Sequence, residues 1–189
     1  MTTMLRGVDA AAPVPFTPTI IAGALNHVQG KRSLGPMRYV QTLAASGAPF
    51  DVLSVHPYNT QMRCGLAEGV VSRFQKKSCG TAYPNVVLGT FPRFLAEVAR
   101  LWPGRDVPIW VTEDGWETPG SDYQDPNSVS PRQQQLLLIQ TIRAFRRMPQ
   151  VKVYVNFTIV DDAGLIDGRL PSGTWQTGLR YLDGTPKPG

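Results

Sequence analysis

Polar side chains stand where short apolar segments of this sequence end. Glu113 follows the apolar residues 109–112, His56 ends the segment at 51–56, and Asn156 lies near the end of 151–157. A carboxylate, an imidazole and an amide carry the donors and acceptors that bind polar ligands and move protons. Each residue also has a simpler structural interpretation, since an acid at a strand end can merely meet solvent or an arginine, and a histidine can be a satisfied core residue.

The elements that would position these residues alternate along the chain. Apolar segments typical of buried strands lie at residues 19–25, 51–56, 107–113 and 151–157. Helical spacing of apolar residues lies between them at 36–46 and 91–102, and a third helix begins at Ser130, where serine, proline and glutamine form a helix-start pattern. This order predicts an α/β fold with a parallel sheet, either an open doubly wound sheet or a (β/α) barrel.

Side-chain periodicity then predicts which residues share a face. In an ideal strand Ile109, Val111 and Glu113 point one way, while Trp110 and Thr112 point the other, with Trp110 facing the helices. Val52, Ser54 and His56 likewise share one face of the preceding strand. The core-facing positions predicted for the third helix are Leu138, Ile139, Ile142 and Phe145.

Polar strand ends also bear on the architecture. No glycine-rich phosphate loop follows the first strand, whereas Asn26 or His27, His56, Glu113 and Asn156 all lie at or near carboxyl ends of strands. In a barrel these ends converge on one face, where active sites are built. The pattern therefore favours the barrel.

Composition bounds the classes of function. The chain has 189 residues, of which 42% are hydrophobic, and it is long enough for one sizeable core. No apolar segment approaches the roughly 20 residues of a membrane span, so no membrane partner is expected. The formal charge is +5, but the basic residues are scattered, and no nucleic-acid partner is predicted.

We interpret residues 1–18 as a linker or loop and 19–189 as one domain. The start lacks the apolar core of a secretory signal, which leaves localisation open, with a secreted or extracellular location plausible. Cys64 and Cys79 fit a disulfide, worth about 3 kcal/mol in an oxidising compartment, or two free thiols. They lack the further ligands of a zinc site, and we predict no metal and no cofactor.

Three motifs in this order resemble the C-terminal half of the retaining glycoside hydrolases of clan A, which are (β/α)8 barrel enzymes. SVHPY at 54–58 resembles their sixth strand, WVTEDGW at 110–116 their seventh, and NFTIVDD with GLRYLDGTPKPG their eighth strand and the loop beyond. Family-39-like and family-5-like members are the most similar. The resemblance implies a partial TIM barrel, roughly strands 5 to 8.

The resemblance implies an O-glycosyl hydrolase that acts on a β-linked saccharide by a retaining double displacement. Glu113 matches the nucleophile, and His56 or Tyr58 matches the residue that orients it. Tyr58 and Trp116 would offer sugar-stacking surfaces, or would serve only as packing at the rim of the site. Asn156 aligns with a tryptophan that forms a sugar platform in the family, so it falls among the substrate-binding residues.

One part of the machinery is absent. A retaining enzyme needs a second carboxyl group about 5–5.5 Å from the nucleophile, and in the family it belongs to an Asn-Glu pair on the fourth strand. This sequence contains no Asn-Glu dipeptide. We therefore expect a fragment that lacks the acid/base, or alternatively a non-catalytic half-barrel that binds carbohydrate or a partner. Its open sheet edges would be covered by the missing N-terminal half or by self-association.

Overall fold

The computed structural model describes residues 17–26, 34–58, 84–119, 128–162 and 175–188. His27, Cys64 and Cys79 lie outside these ranges, so the predictions made for them stay untested. The strands are β1 (Ile21–Asn26), β2 (Val52–His56), β3 (Ile109–Asp114) and β4 (Val151–Asn156). The α-helices are α1 (Pro36–Ser46), α2 (Phe91–Leu101) and α3 (Pro131–Phe145).

The four strands form one parallel sheet in the order β1-β2-β3-β4. Within the described residues, each connection between consecutive strands contains one α-helix, in keeping with the crossover that a parallel sheet requires. This arrangement confirms the predicted fold class, an α/β partial (β/α)8 barrel. Within the residues that the structure describes, β1 and β4 each pair with a strand on one side only.

The core lies between the helices and one face of the sheet. Alternate residues of the two central strands, Leu53, Val55, Ile109 and Val111, are fully buried there. Aromatic side chains of α2 and α3 pack on these residues. The rings of Phe91 and Phe145 meet edge to face, with their centroids 5.0 Å apart. Each such side chain contributes about 2 kcal/mol through burial, so this layer fixes the sheet that carries the strand ends.

Local signals place the helix ends where the sequence predicts them. Helix α1 ends at Gly47, which adopts φ 63°, a left-handed conformation that glycine tolerates. Helix α3 is capped by Ser130, whose Oγ accepts from Gln133 N at 3.3 Å, while Gln133 Oε1 accepts from Ser130 N at 3.0 Å. This is the reciprocal cap expected from the sequence.

Replacing Ser130 with alanine removes one half of that cap. We expect a loss of about 1 kcal/mol in the free energy of unfolding, measured by urea denaturation. Ser130→Asp keeps an acceptor at the same position and should retain most of the stability. An alanine variant as stable as the aspartate variant would show that the cap contributes nothing.

The core face predicted for α3 is wrong in part. Phe145 is buried, but Ile139 and Ile142 are exposed, and the buried positions on the helix are otherwise Gln134 and Thr141. The Gln134 amide donates to the backbone oxygens of Trp116, Thr177 and Gly178 at 2.7, 3.2 and 3.2 Å. Buried carbonyl groups need donors, so the helix presents its polar side chains to these loops.

Candidate active site at the carboxyl ends of the strands

An irregularity in β3 determines where its acidic residues point. Val111 pairs with Tyr154, and Asp114 pairs with Asn156. Three residues along β3 therefore correspond to two residues along β4. An extra residue of this kind is a β-bulge, and it interrupts the alternation of side chains along the strand.

The bulge corrects the predicted faces. Thr112 and Glu113 both contact His56, so Glu113 shares a face with Thr112 and not with the buried Val111. Trp110 pairs with Ser54 in the sheet and is not part of the core cluster under the helices. The Ser54 hydroxyl is hydrogen-bonded to the Thr112 hydroxyl, so Ser54, Trp110 and Thr112 lie on the face of the sheet opposite the helix layer. The prediction that Trp110 faces the helices is therefore wrong.

The Glu113 carboxylate is held by two side chains from the β2 end. Tyr58 Oη donates to Oε2 at 3.1 Å, and His56 Nδ1 lies 3.4 Å from the same oxygen. The Glu113 side chain remains 36% exposed, whereas that of His56 is 18% exposed. The acid is therefore oriented but still accessible to a ligand.

Hydrogen bonds on the other side of His56 fix its ring. Its Nε2 lies 3.0 Å from Thr112 Oγ1, and that hydroxyl is also bonded to Ser54 Oγ. A neutral imidazole that donates from Nδ1 must accept at Nε2. The Thr112 hydroxyl can supply that donor, and the Nδ1 side of the ring then faces Glu113 Oε2 at 3.4 Å.

Tyr58 lies in an aromatic environment. Its ring stacks on Trp175, with centroids 5.7 Å apart and an interplanar angle of 16°. The rings of Phe157 and Trp175 are nearly perpendicular, with centroids 6.3 Å apart. Burial, and then the charge of Glu113, raise the pKa of Tyr58 well above its usual value. The phenol therefore stays protonated at neutral pH and remains a donor to Glu113.

Sequence reasoning did not identify Trp175 as a candidate. The residue lies 117 positions after Tyr58, in a glycine-rich segment without helical or strand periodicity. Only the three-dimensional path of that segment brings its ring, 36% exposed, to Tyr58.

The prediction that Trp116 stacks on a sugar is revised. The residue is only 2% exposed, and its Nε1 donates to Thr141 Oγ1 on α3 at 3.3 Å. The turn after Glu113 directs this indole into the space beneath α3, where a ligand does not reach its ring. The more exposed aromatic surface beside Tyr58 is that of Trp175.

Asn156 is partly buried at the end of β4. Its Nδ2 donates to the backbone oxygen of Thr158 at 3.0 Å, which is a contact within its own loop. This bond leaves the carbonyl end of the amide as the part suited to a ligand. A substrate-binding role for Asn156 stays a prediction.

Asp114 points away from Glu113, toward the helix layer. It is almost completely buried, and Tyr154 Oη donates to its Oδ2 at 3.4 Å. Burial raises the pKa of Asp114 to about 8, although hydrogen bonds from Gly115 and Tyr154 oppose the change. Two adjacent acids thus occupy opposite environments, one open and one buried.

The described residues contain neither a cluster of metal-binding side chains nor a membrane-spanning helix. No three histidine, cysteine, aspartate or glutamate side chains of the described ranges cluster as a metal site would require. None of the helices described here is long and apolar enough to cross a membrane.

The sheet, its helices on one face and the polar side chains at the strand ends define part of a (β/α) barrel. Neither protein-family models nor curated proteins gave a match to the chain. Solved structures, in contrast, gave matches to the chain. The chain is similar to the Faecalibacterium prausnitzii β-glucuronidase with a TM-score of 0.55 and 12% identity, covering 98% of this chain and 26% of that one.

Two other β-glucuronidases show the same kind of likeness. For the Bifidobacterium dentium enzyme complexed with coumarin-3-O-glucuronide, the TM-score is 0.52 at 12% identity, covering 98% of this chain and 24% of that one. The match to the Dictyoglomus thermophilum β-D-glucuronidase covers 73% of this chain and 21% of that one, at 18% identity and a TM-score of 0.44. The chain thus spans about a quarter or less of the length of these structures. The two matches with TM-scores above 0.5, both at 12% identity, support the fold alone.

Proposed function

We propose that this chain is the C-terminal part of the catalytic barrel of a retaining O-glycosyl hydrolase that acts on a β-linked saccharide, with Glu113 as the nucleophile. The observation that carries the proposal is the environment of Glu113. Its carboxylate lies at the carboxyl end of a barrel strand, is held by Tyr58 and His56, and remains a third exposed. Family-39-like or family-5-like members of clan A remain the proposed relatives.

The geometry suits a nucleophilic carboxylate. Such a group must be ionised and oriented, and must lie open to the anomeric carbon. A phenol that stays protonated supports the anion by donating to it, and His56 Nδ1 lies 3.4 Å from the same oxygen. In this proposal the other oxygen of Glu113 attacks the anomeric carbon.

Among the residues that the structure describes, neither Asp114 nor Asp161 is placed to act as the acid/base. Asp114 faces the helix layer, and Asp161 is paired with Lys187 at 2.7 Å, so neither stands free beside Glu113. The sequence has no Asn-Glu pair that could supply the second carboxyl group in the manner of the family. We propose that a segment carrying barrel strands 1 to 4 contributes it.

The substrate-binding side chains that we propose are His56, Tyr58 and Asn156. The exposed part of Trp175 extends the aromatic surface of Tyr58, and flat apolar rings of this kind pack against sugar faces. The bound molecule is a carbohydrate, with neither a metal nor a cofactor in the reaction.

Covalent trapping tests this assignment directly. Activated 2-deoxy-2-fluoro-β-glycosides, including a β-glucuronide because the similar structures are β-glucuronidases, form a slowly hydrolysed ester with a nucleophilic carboxylate. Mass spectrometry of the digested protein should find the sugar on the peptide that contains Glu113. A label on another carboxylate, or no label with any sugar of the set, would contradict the proposal.

A second function is favoured by the absence of the Asn-Glu pair. In this alternative, the chain is a non-catalytic half-barrel that binds carbohydrate or a partner. Aryl glycosides with good leaving groups discriminate the two, because they lessen the need for a general acid. Sugar binding without turnover would support the binding function, whereas sustained turnover would exclude it.

In the part of the chain that the structure describes, the outer edges of β1 and β4 have no partner strand, which implies a cover. Apolar side chains on the two edge strands, Ile21 of β1 and Val155 of β4, are exposed. We propose that the N-terminal half of a barrel covers these edges, since unpaired edges invite pairing with further strands. Sedimentation of the 189-residue chain checks this: a stable dimer would identify a second copy as the cover instead.

A further inference from the structure

A buried ammonium group joins three segments beside the candidate site. The Nζ of Lys187 lies 2.7 Å from Asp161 Oδ1, 2.7 Å from Thr118 Oγ1 and 3.1 Å from Gln176 O. The side chains of Lys187 and Asp161 are only 3% and 5% exposed. Three acceptors match the three donors of an ammonium group, so the charge is fully satisfied in its pocket.

These acceptors come from different parts of the chain. Thr118 lies four residues after β3, in the segment that follows Glu113, and Asp161 lies in the segment after β4. Gln176 and Lys187 belong to the C-terminal segment, residues 175–188. Asp161 Oδ1 also accepts from Gly178 N at 2.9 Å, so its carboxylate binds this segment twice.

Close backbone approaches show how tightly the C-terminal segment is seated. A Cβ at Gly178 would lie 2.3 Å from Asp161 N, and one at Gly115 would lie 2.6 Å from Phe157 O and 3.0 Å from Thr177 Cβ. Both glycines therefore permit contacts that any larger residue would prevent. The turn after Glu113, the segment after β4 and the C-terminal segment form one packed unit.

The bonds of this unit converge on the backbone beside Trp175. Gln176 O accepts from Thr118 N at 3.0 Å and from Thr118 Oγ1 at 3.1 Å, in addition to Lys187 Nζ. Trp175 O accepts from Asp162 N at 3.0 Å. Two consecutive carbonyl groups are thus fixed, and they set the position from which the indole of Trp175 stacks on Tyr58.

We infer that Lys187 is a positioning residue for the Glu113 site, because it fixes the segment that places Trp175 against Tyr58, the side chain that donates to Glu113. Its role in a reaction rests on the function proposed above, but its role in the geometry does not. Removal of the ammonium group leaves the Asp161 carboxylate buried without its cation, which drives water into the pocket and releases the C-terminal segment.

Nuclear Overhauser contacts between aromatic rings test this inference in the full chain without any assay of activity. In Lys187→Met, the contact between Tyr58 and Trp175 should be lost, while the core contact between Phe91 and Phe145 is retained. The matched control is Lys152→Met, which removes an exposed lysine that pairs with Asp106 at 3.9 Å. Both contacts should persist in that variant.

A milder variant covers the case in which Lys187→Met does not fold. Thr118→Val keeps the shape of the side chain and the Lys187–Asp161 pair but removes the hydroxyl that bonds Lys187 and Gln176. We expect a weakened Tyr58–Trp175 contact and an unchanged core. The inference is overturned if that contact keeps its intensity in a folded variant, or if it declines only together with the Phe91–Phe145 contact. Because these contacts report on geometry, a failure to trap Glu113 with a fluorosugar would contradict the proposed function but not the positioning role of Lys187.

Discussion

Glu113→Gln is expected to reduce the hydrolysis of activated aryl β-glycosides by at least about 10³-fold, which corresponds to roughly 4 kcal/mol or more in transition-state free energy. The amide keeps the size of the side chain and can still accept from Tyr58, so the fold should be unchanged. What it loses is the negative charge that attacks the anomeric carbon. The measurement is kcat/KM, with circular dichroism to verify folding.

Glu97→Gln is a matched control for this variant. Glu97 lies on α2 and pairs with Arg100 at 2.7 Å, away from the strand ends, so the same chemical change there should leave kcat/KM unaltered. Equal activity of Glu113→Gln and the unsubstituted chain would contradict the nucleophile assignment. An equal loss in both variants would point to a general effect of the substitution.

A second variant gives a stereochemical check. In Glu113→Ala the space of the carboxylate becomes available to azide, which can attack the anomeric carbon as the aryl oxide leaves. Because azide enters from the side that Glu113 occupied, the product should be an α-glycosyl azide from a β-glycoside. A β-glycosyl azide would contradict placement of Glu113 on that side.

Much of the fold could be predicted because several local signals agreed. Apolar segments of strand length alternated with helical spacing, and Ser130 and Gly47 marked ends of helices through their own hydrogen bonds or backbone conformation. Such signals act within a few residues of the chain. The convergence of His56 and Glu113 followed from parallel topology, since carboxyl ends of neighbouring parallel strands lie at the same edge.

The details of the site depended on longer-range packing. The bulge that directs Glu113 beside Thr112 has no signal in the strand, because its composition suits regular alternation equally well. Trp116 was predicted on the ligand surface, but packing beneath α3 buries it. Trp175 reaches Tyr58 through the path of the C-terminal segment, whose backbone is bound by Lys187, Thr118 and Asp162.

The same bulge has an energetic consequence, because it buries Asp114. The pKa of this carboxyl group is raised to about 8 by burial, whereas in the unfolded chain it lies near its usual value of about 3.9. Between these two pH values the folded state keeps a proton that the unfolded state releases. The free energy of unfolding therefore falls with rising pH, by up to about 1.4 kcal/mol per unit. The contribution of the group is fully present below pH 4 and is lost as the pH passes through 8.

Asp114→Asn should remove this pH dependence, since the amide stays neutral and has a similar shape. From pH 5 to pH 8.5, the unsubstituted chain should lose on the order of several kcal/mol of stability relative to the variant, a value that structural relaxation would reduce. Urea denaturation at a series of pH values measures the difference. Asp106→Asn, at an exposed residue, is the matched control and should follow the unsubstituted chain. Parallel curves for Asp114→Asn and the unsubstituted chain would mean that the buried acid is already ionised at pH 5.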